Sequence, residues 1–237
     1  PNMPIRVFNG GIGGDTAYDM NKRLDGDIFS KNPTVLMVTF GMNDSGYYEY
    51  NGDNAKEFGE QKYQESIKNF QQMEKRFKEL PHTRIVMTGT SPYDETAQIK
   101  DNTVFKKKNE TIKRIIEYQR ESAARNGWEF TDWNAPMVAI NQELQQKDPS
   151  FTLCGNDRIH PDNDGHMVMA YLFLKAQGFA GKDVANMEIN ANKKQAVKAE
   201  GCTISNIKKI GKDISFDYLA EALPYPLDTI ARGWGSK

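Results

Sequence analysis

Two kinds of apolar pattern alternate along the chain. Short continuous apolar runs at residues 5–8, 34–40, 84–90 and 128–133 predict strands, and the run at 34–40, rich in β-branched residues, reads as a strand buried on both faces. Longer stretches with helical spacing separate them. Asp15 or Thr16 can cap a helix that runs through Met20 and Leu24 to about residue 29. Tyr63, Ile67, Phe70, Met73, Phe77 and Leu80 share one face of a predicted helix over 59–80, which Pro81 ends. Ile112, Ile115, Ile116 and Tyr118 do the same over 105–125, closed by Asn126-Gly127. Helical patterns follow at 136–146 and 164–177.

Strands alternating with helices predict an α/β domain whose parallel sheet carries helices on both faces. In such sheets functional residues gather in loops beyond the carboxyl ends of the strands. Three polar, glycine-bearing loops fall there, at 9–16, 41–53 and 91–103. After Gly181 the pattern changes to short segments at 187–190, 196–199, 202–204 and 214–218, split by turn signals. The expected organisation is therefore an α/β domain over 1–181 and a small β-rich extension over 182–237.

Composition narrows the function classes. The 237 residues include 31 Lys+Arg and 32 Asp+Glu, a net charge of −1, without the basic excess of a nucleic-acid binder. No apolar run approaches the ~18–20 residues of a membrane span. Cys154 and Cys202 can form one disulfide or stay free. With three histidines, no Cys-x-x-Cys and no His-Glu-x-x-His, no metal site or cofactor is expected. His166 reads as a packed helix residue, and Lys106-Lys107-Lys108 as part of a solvated helix face.

Three segments carry candidate chemistry. In Asp157-Arg158-Ile159-His160-Pro161, an Asp three positions before a His can fix the ring tautomer and leave the other nitrogen as a general base. Pro161 keeps His160 extended, off the following helix. The competing reading is a helix-entry loop whose Asp bonds backbone amides. In Gly41-Met42-Asn43-Asp44, the Asn amide can donate to a developing oxyanion and Asp44 can brace the loop; an ordinary turn also fits. Residues 9–16 bring glycines that allow a backbone N–H close to a substrate oxygen. A dinucleotide fingerprint fails there on register, because Thr16 stands where Gly or Ala is needed, and no Gly-Lys-Ser/Thr marks a phosphate loop.

Taken together, Gly14, Asn43, Asp157 and His160 stand in the order and context of the GDSL, or SGNH, hydrolases, and the chain resembles that family over about residues 5–180. The resemblance implies a three-layer α/β/α, flavodoxin-like fold and serine esterase chemistry. His160 would be the base, Asp157 its orienting carboxylate, and Gly14 and Asn43 the oxyanion donors. The family's Gly-Asp-Ser block is absent from the sequence, and neither Ser45 nor Ser91 replaces it in a Gly-x-Ser-x-Gly context. The chain therefore reads as an N-terminally truncated, inactive and poorly stable member whose first strand lies upstream. The alternative is a non-catalytic carbohydrate-binding relative.

Tyr47, Tyr48 and Tyr50 follow the oxyanion Asn and suit stacking on a sugar, which makes a carbohydrate ester the expected substrate; a lid without a substrate role is the other reading. The tail Leu223-Pro224-Tyr225-Pro226-Leu227-Asp228 and the β extension resemble those of secreted bacterial members, implying a periplasmic or extracellular place.

Overall fold

A computed structural model describes residues 4–100 and 102–222. Contacts divide these into two compact units, 4–177 and 178–222.

The first unit is built on a parallel sheet of three strands, β1 (Val35–Phe40), β2 (Arg84–Gly89) and β3 (Glu129–Asp132), in the order β1-β2-β3. Leu36 pairs with Ile85, Val38 with Met87, and Met87 with Phe130, so one sheet face is continuous and apolar. Against it pack α1 (Ala17–Arg23), α2 (Ala55–Phe77) and α3 (Lys108–Asn126). Phe70, Met73 and Phe77 of α2 and Ile115 of α3 are buried there with Val38, Phe40 and Ile85. Burying each such side chain contributes roughly 1.5–3 kcal/mol, which fixes helix spacing and strand register together. The Glu74 carboxylate joins α2 to α3, accepting hydrogen bonds from Ser122 Oγ and Asn126 Nδ2. Two further helices, α4 (Asn134–Leu144) and α5 (Asn163–Ala176), enclose Trp133, Met137, Leu153 and Cys154, and α5 packs along β3.

Several sequence expectations change. Residues 5–8 form no strand: Ile5 and Val7 are about four-fifths exposed, with no ladder neighbour among the described residues. An apolar run without a strand beside it leaves its amides to water. The run at 35–40 is buried on one face only. Val35 and Met37 are roughly half exposed, because β1 is an edge strand and α5 reaches only the far side of the sheet. The first helix is capped by Thr16, whose side chain and that of Asp19 close a capping box. It leaves α-geometry at Leu24, passing through a π-turn and a 3-10 turn to Lys31. Helix α3 begins at Lys108 rather than 105, and Lys108 is fully buried, not on a solvated face. His166 is exposed on α5 rather than packed. Cys154 and Cys202 are both buried free thiols.

The second unit consists of two antiparallel hairpins, β4 (Asn186–Asn190) with β5 (Gln195–Glu200), and β6 (Cys202–Ile210) with β7 (Asp213–Ala220). The tail 223–228 lies outside the described residues.

Candidate active site

Asp157 and His160 stand in the loop that enters α5. Oδ2 of Asp157 lies 2.6 Å from His160 Nδ1, and Oδ1 accepts the backbone N–H groups of Ile159 and His160, each at 2.9 Å. Burial would push this carboxyl up, but the His160 ring and the two amides outweigh it and hold the carboxyl below its ordinary range. The carboxylate therefore persists at neutral pH, and a hydrogen on Nδ1 fits between the pair. That tautomer leaves Nε2 as the basic nitrogen. Both side chains are about half exposed, which suits groups that must meet a substrate.

The loop is wound tightly around this pair. Gly155 has φ +66°, and a Cβ there would come within 2.5 Å of the His160 carbonyl oxygen, so only glycine fits. Arg158, between the two site residues, also takes a left-handed φ of 67°. Its guanidinium is buried and donates to the Asp94 and Ala97 carbonyls at 3.1 and 2.7 Å, while its own carbonyl accepts the Asp94 N–H at 3.1 Å. Sequence reasoning passed over Arg158, because an arginine in a polar loop gives no sign of turning inward. Asp162 caps α5 through the Gly165 N–H.

The second arm follows β1. Asp44 is buried and gathers three donors: the Ala17 N–H at 3.0 Å, the Gly41 N–H at 3.1 Å and Ser66 Oγ at 3.1 Å. Desolvation nevertheless raises its carboxyl, the hydrogen bonds offsetting only part of that rise. This brace ties the start of α1, the end of β1 and α2 into one piece. Asn43 sits on it. Its Nδ2 donates to the Asp15 carbonyl at 3.0 Å, using one of two hydrogens, and its Oδ1 accepts the Tyr47 hydroxyl at 2.6 Å. The bond to Asp15 brings Asn43 beside Gly14, which is exposed with φ +88° and has open space around its α-carbon. Gly14 and Asn43 are therefore near neighbours beyond the carboxyl end of β1.

The two arms meet through aromatic and apolar side chains. Ile159 packs on a cluster holding Tyr50, Tyr93, Phe105, Met42 and Tyr47. Burial, then the nearby Asp157 carboxylate, push the Tyr47 phenol up to about 12, so Tyr47 stays a hydrogen-bond donor at any ordinary pH. Tyr48 is four-fifths exposed, its ring edge-on to Phe105 at 5.4 Å. Tyr50 corrects the expectation of a sugar platform. It is a core residue, and its hydroxyl lies 2.8 Å from the Ser45 carbonyl and 2.9 Å from Thr111 Oγ1. Ser45 and Ser91 are both buried, and the Ser45 hydroxyl donates to the Met42 carbonyl at 2.9 Å. Among the described residues no cluster of three or more His, Cys, Asp or Glu could hold a metal.

A carboxylate-oriented histidine in the loop entering α5, on a fold with a glycine and an asparagine at the carboxyl end of a parallel sheet, is the arrangement of hydrolases of the flavodoxin-like α/β kind. The chain belongs to the GDSL-like lipase/acylhydrolase family, which matches residues 2–168. It is 25% identical over 180 residues to the acetylxylan esterase of Geobacillus stearothermophilus, covering 76% of this chain and 75% of that protein. The fold is shared with a crystal structure of an acetyl xylan esterase at TM-score 0.52 and 22% identity, covering 70% of this chain and 78% of the other. It is shared too with a catalytic mutant of the Geobacillus stearothermophilus acetylxylan esterase at TM-score 0.55 and 21% identity, covering 73% of each.

Proposed function

We propose that this chain carries the base and oxyanion halves of a carbohydrate-ester hydrolase acting on O-acetyl groups of a xylan-like polysaccharide. A serine attacks the ester carbonyl, and His160 takes the serine proton and returns it to the leaving sugar hydroxyl. Asp157 holds the imidazole in its basic tautomer, while the Gly14 N–H and the Asn43 amide receive the oxyanion. Tyr48 offers the exposed face on which a sugar ring stacks. The observation that carries this reading is the Asp157–His160 pair at 2.6 Å, its carboxylate collared by two amides. Family membership and the acetylxylan esterase relatives support ester chemistry and the substrate class.

The nucleophile is assigned to sequence upstream of these residues, since Ser45 and Ser91 are buried. That burial equally favours the second reading, a carbohydrate-binding relative without a nucleophile. In both readings the protein works in the periplasm or outside the cell, where polysaccharide is met, and the β hairpins form an extension to the hydrolase domain. Two measurements test this. Fluorophosphonate labelling followed by mass spectrometry is expected to give no adduct; one on Ser45 or Ser91, lost in His160→Ala, overturns the assignment of the nucleophile. Acetylated xylooligosaccharide is expected to shift the NMR signals of Asn43, Tyr48 and His160, and unmoved signals overturn the substrate.

A further inference from the structure

Lys108 is a fully buried lysine with no carboxylate at ion-pair distance among the described residues. It is the first residue of α3. Lys107 before it takes a left-handed φ of 71°, which turns the chain so that Lys108 points beneath the turn after β1. There its ammonium donates to the Met42 carbonyl, Ser45 Oγ and the Gly46 carbonyl, each at 2.6 Å. The Tyr47 ring lies 3.8 Å from the same nitrogen. Three acceptors meet three N–H bonds. A neutral amine has two N–H bonds and a lone pair, so deprotonation leaves it one donor short: either one carbonyl loses its donor, or the Ser45 hydroxyl swings from the Met42 carbonyl to the lone pair, and each rearranges the turn.

A Ser45–Lys108 catalytic dyad is the other chemistry this contact suggests, and the geometry rejects it. Both residues are fully buried, and the Ser45 hydroxyl points its hydrogen at Met42, so no ester reaches either atom.

We infer that Lys108 is a positioning residue for the oxyanion arm: its three-pronged grip on Met42, Ser45 and Gly46 holds the turn that presents Asn43, and the grip loosens when Lys108 loses a proton. The inference rests on the reading of Asn43 as an oxyanion donor. Burial pushes the Lys108 amine down from 10.5 to about 7, against the pull of Asp44 and Glu95, so the change falls near neutrality. The groups facing Lys108 are Asp44 from the turn, Glu95 from the loop after β2, and the rings of Tyr47 and Tyr93. Burial raises both phenols, so neither ionises near neutrality.

The test is an NMR titration of the full chain from pH 5.5 to 9, following the Lys108 Nζ signal, the amides of Met42 to Gly46 and the Asn43 side-chain amide. All are expected to move together with a midpoint near 7. The same transition is expected in His160→Ala and absent in Lys108→Met. Wild-type protein alone is decisive if that last variant does not fold, and Ser45→Ala adds a second check: removing one acceptor of the ammonium moves the midpoint to lower pH. Flat turn signals, a transition that survives in Lys108→Met, or one that vanishes with His160 overturns the inference. Acetylated xylooligosaccharide added at pH 6 separates the two readings. Failure to shift Asn43 and His160 counts against the substrate site, whereas the Lys108 transition stands or falls without ligand.

Discussion

The two arms of the site are built on opposite electrostatic principles. The Asp157–His160 arm is half exposed and its charge is stabilised locally, by two amides and a ring, so its carboxyl is held down. The turn carrying Asn43 is sunk in the protein. Its carboxylate, Asp44, is pushed up, and the cation beneath it, Lys108, is pushed down. The exposed arm keeps its ionisable groups in contact with water. The buried arm uses ionic groups as scaffolding, where desolvation works against them and geometry must compensate. In the proposed reading, proton transfer and oxyanion binding thus ask different things of the same side-chain types.

The largest test of this contrast is to remove one carboxylate from each arm. Asp44→Ala leaves three donors buried, those of Ala17, Gly41 and Ser66, and is expected to cost about 4 kcal/mol in urea unfolding. Asp157→Ala, at a half-exposed site, is expected to stay within about 1 kcal/mol of wild type.

Arg158 comes next. Arg158→Gly keeps the left-handed backbone but loses the bonds to Asp94 and Ala97, for about 2 kcal/mol. Arg158→Ala loses the same bonds and keeps the left-handed strain that glycine relieves, so it is expected to cost about 1 kcal/mol more than glycine. If glycine were the worse of the two, the loop would owe its shape to something other than this conformation.

The pH dependence has a sign for each arm. Lys108 is depressed in the folded state, so the stability difference between wild type and Lys108→Met is expected to rise with pH from about 7 to 10.5 and to be flat below. The fold then tightens over the same range in which the grip on the turn slackens. Asp157, also depressed, supports the fold above 3.8, and that support is lost as pH falls through its folded value. Urea midpoints measured across pH on wild type, Lys108→Met and Asp157→Asn check both signs. The smallest effect belongs to Tyr48→Ala, expected to leave stability within about 0.5 kcal/mol. Its mark is a roughly fivefold weaker affinity for acetylated xylooligosaccharide, measured by calorimetry.

How much of this was legible in the sequence follows the same divide. The Asp157–His160 arm is local: three residues of spacing and a following proline specify it, and the pairing is visible in the text of the chain. Asn43 and its brace Asp44 were legible as types, because a polar turn after an apolar strand is where such groups stand. What Asp44 binds, 27 and 22 residues away, was not. Lys108 departs from what the sequence predicts. Within Lys106-Lys107-Lys108 nothing in composition or period marks one lysine as buried, and only the left-handed turn at Lys107 decides it. The failed strand at 5–8 and the half-open face of β1 share one cause. Strand propensity is a statement about neighbours, and the sequence pattern carries no information on whether a neighbour is present.

The bare rim of β1 is also a place where the sheet can grow. The outer rim of β1 pairs with no strand among the described residues, and Val35 and Met37 stand half bare beside it. A further strand added in parallel along that rim would end just where the Asn43 turn begins, so its last residues would stand beside Asn43.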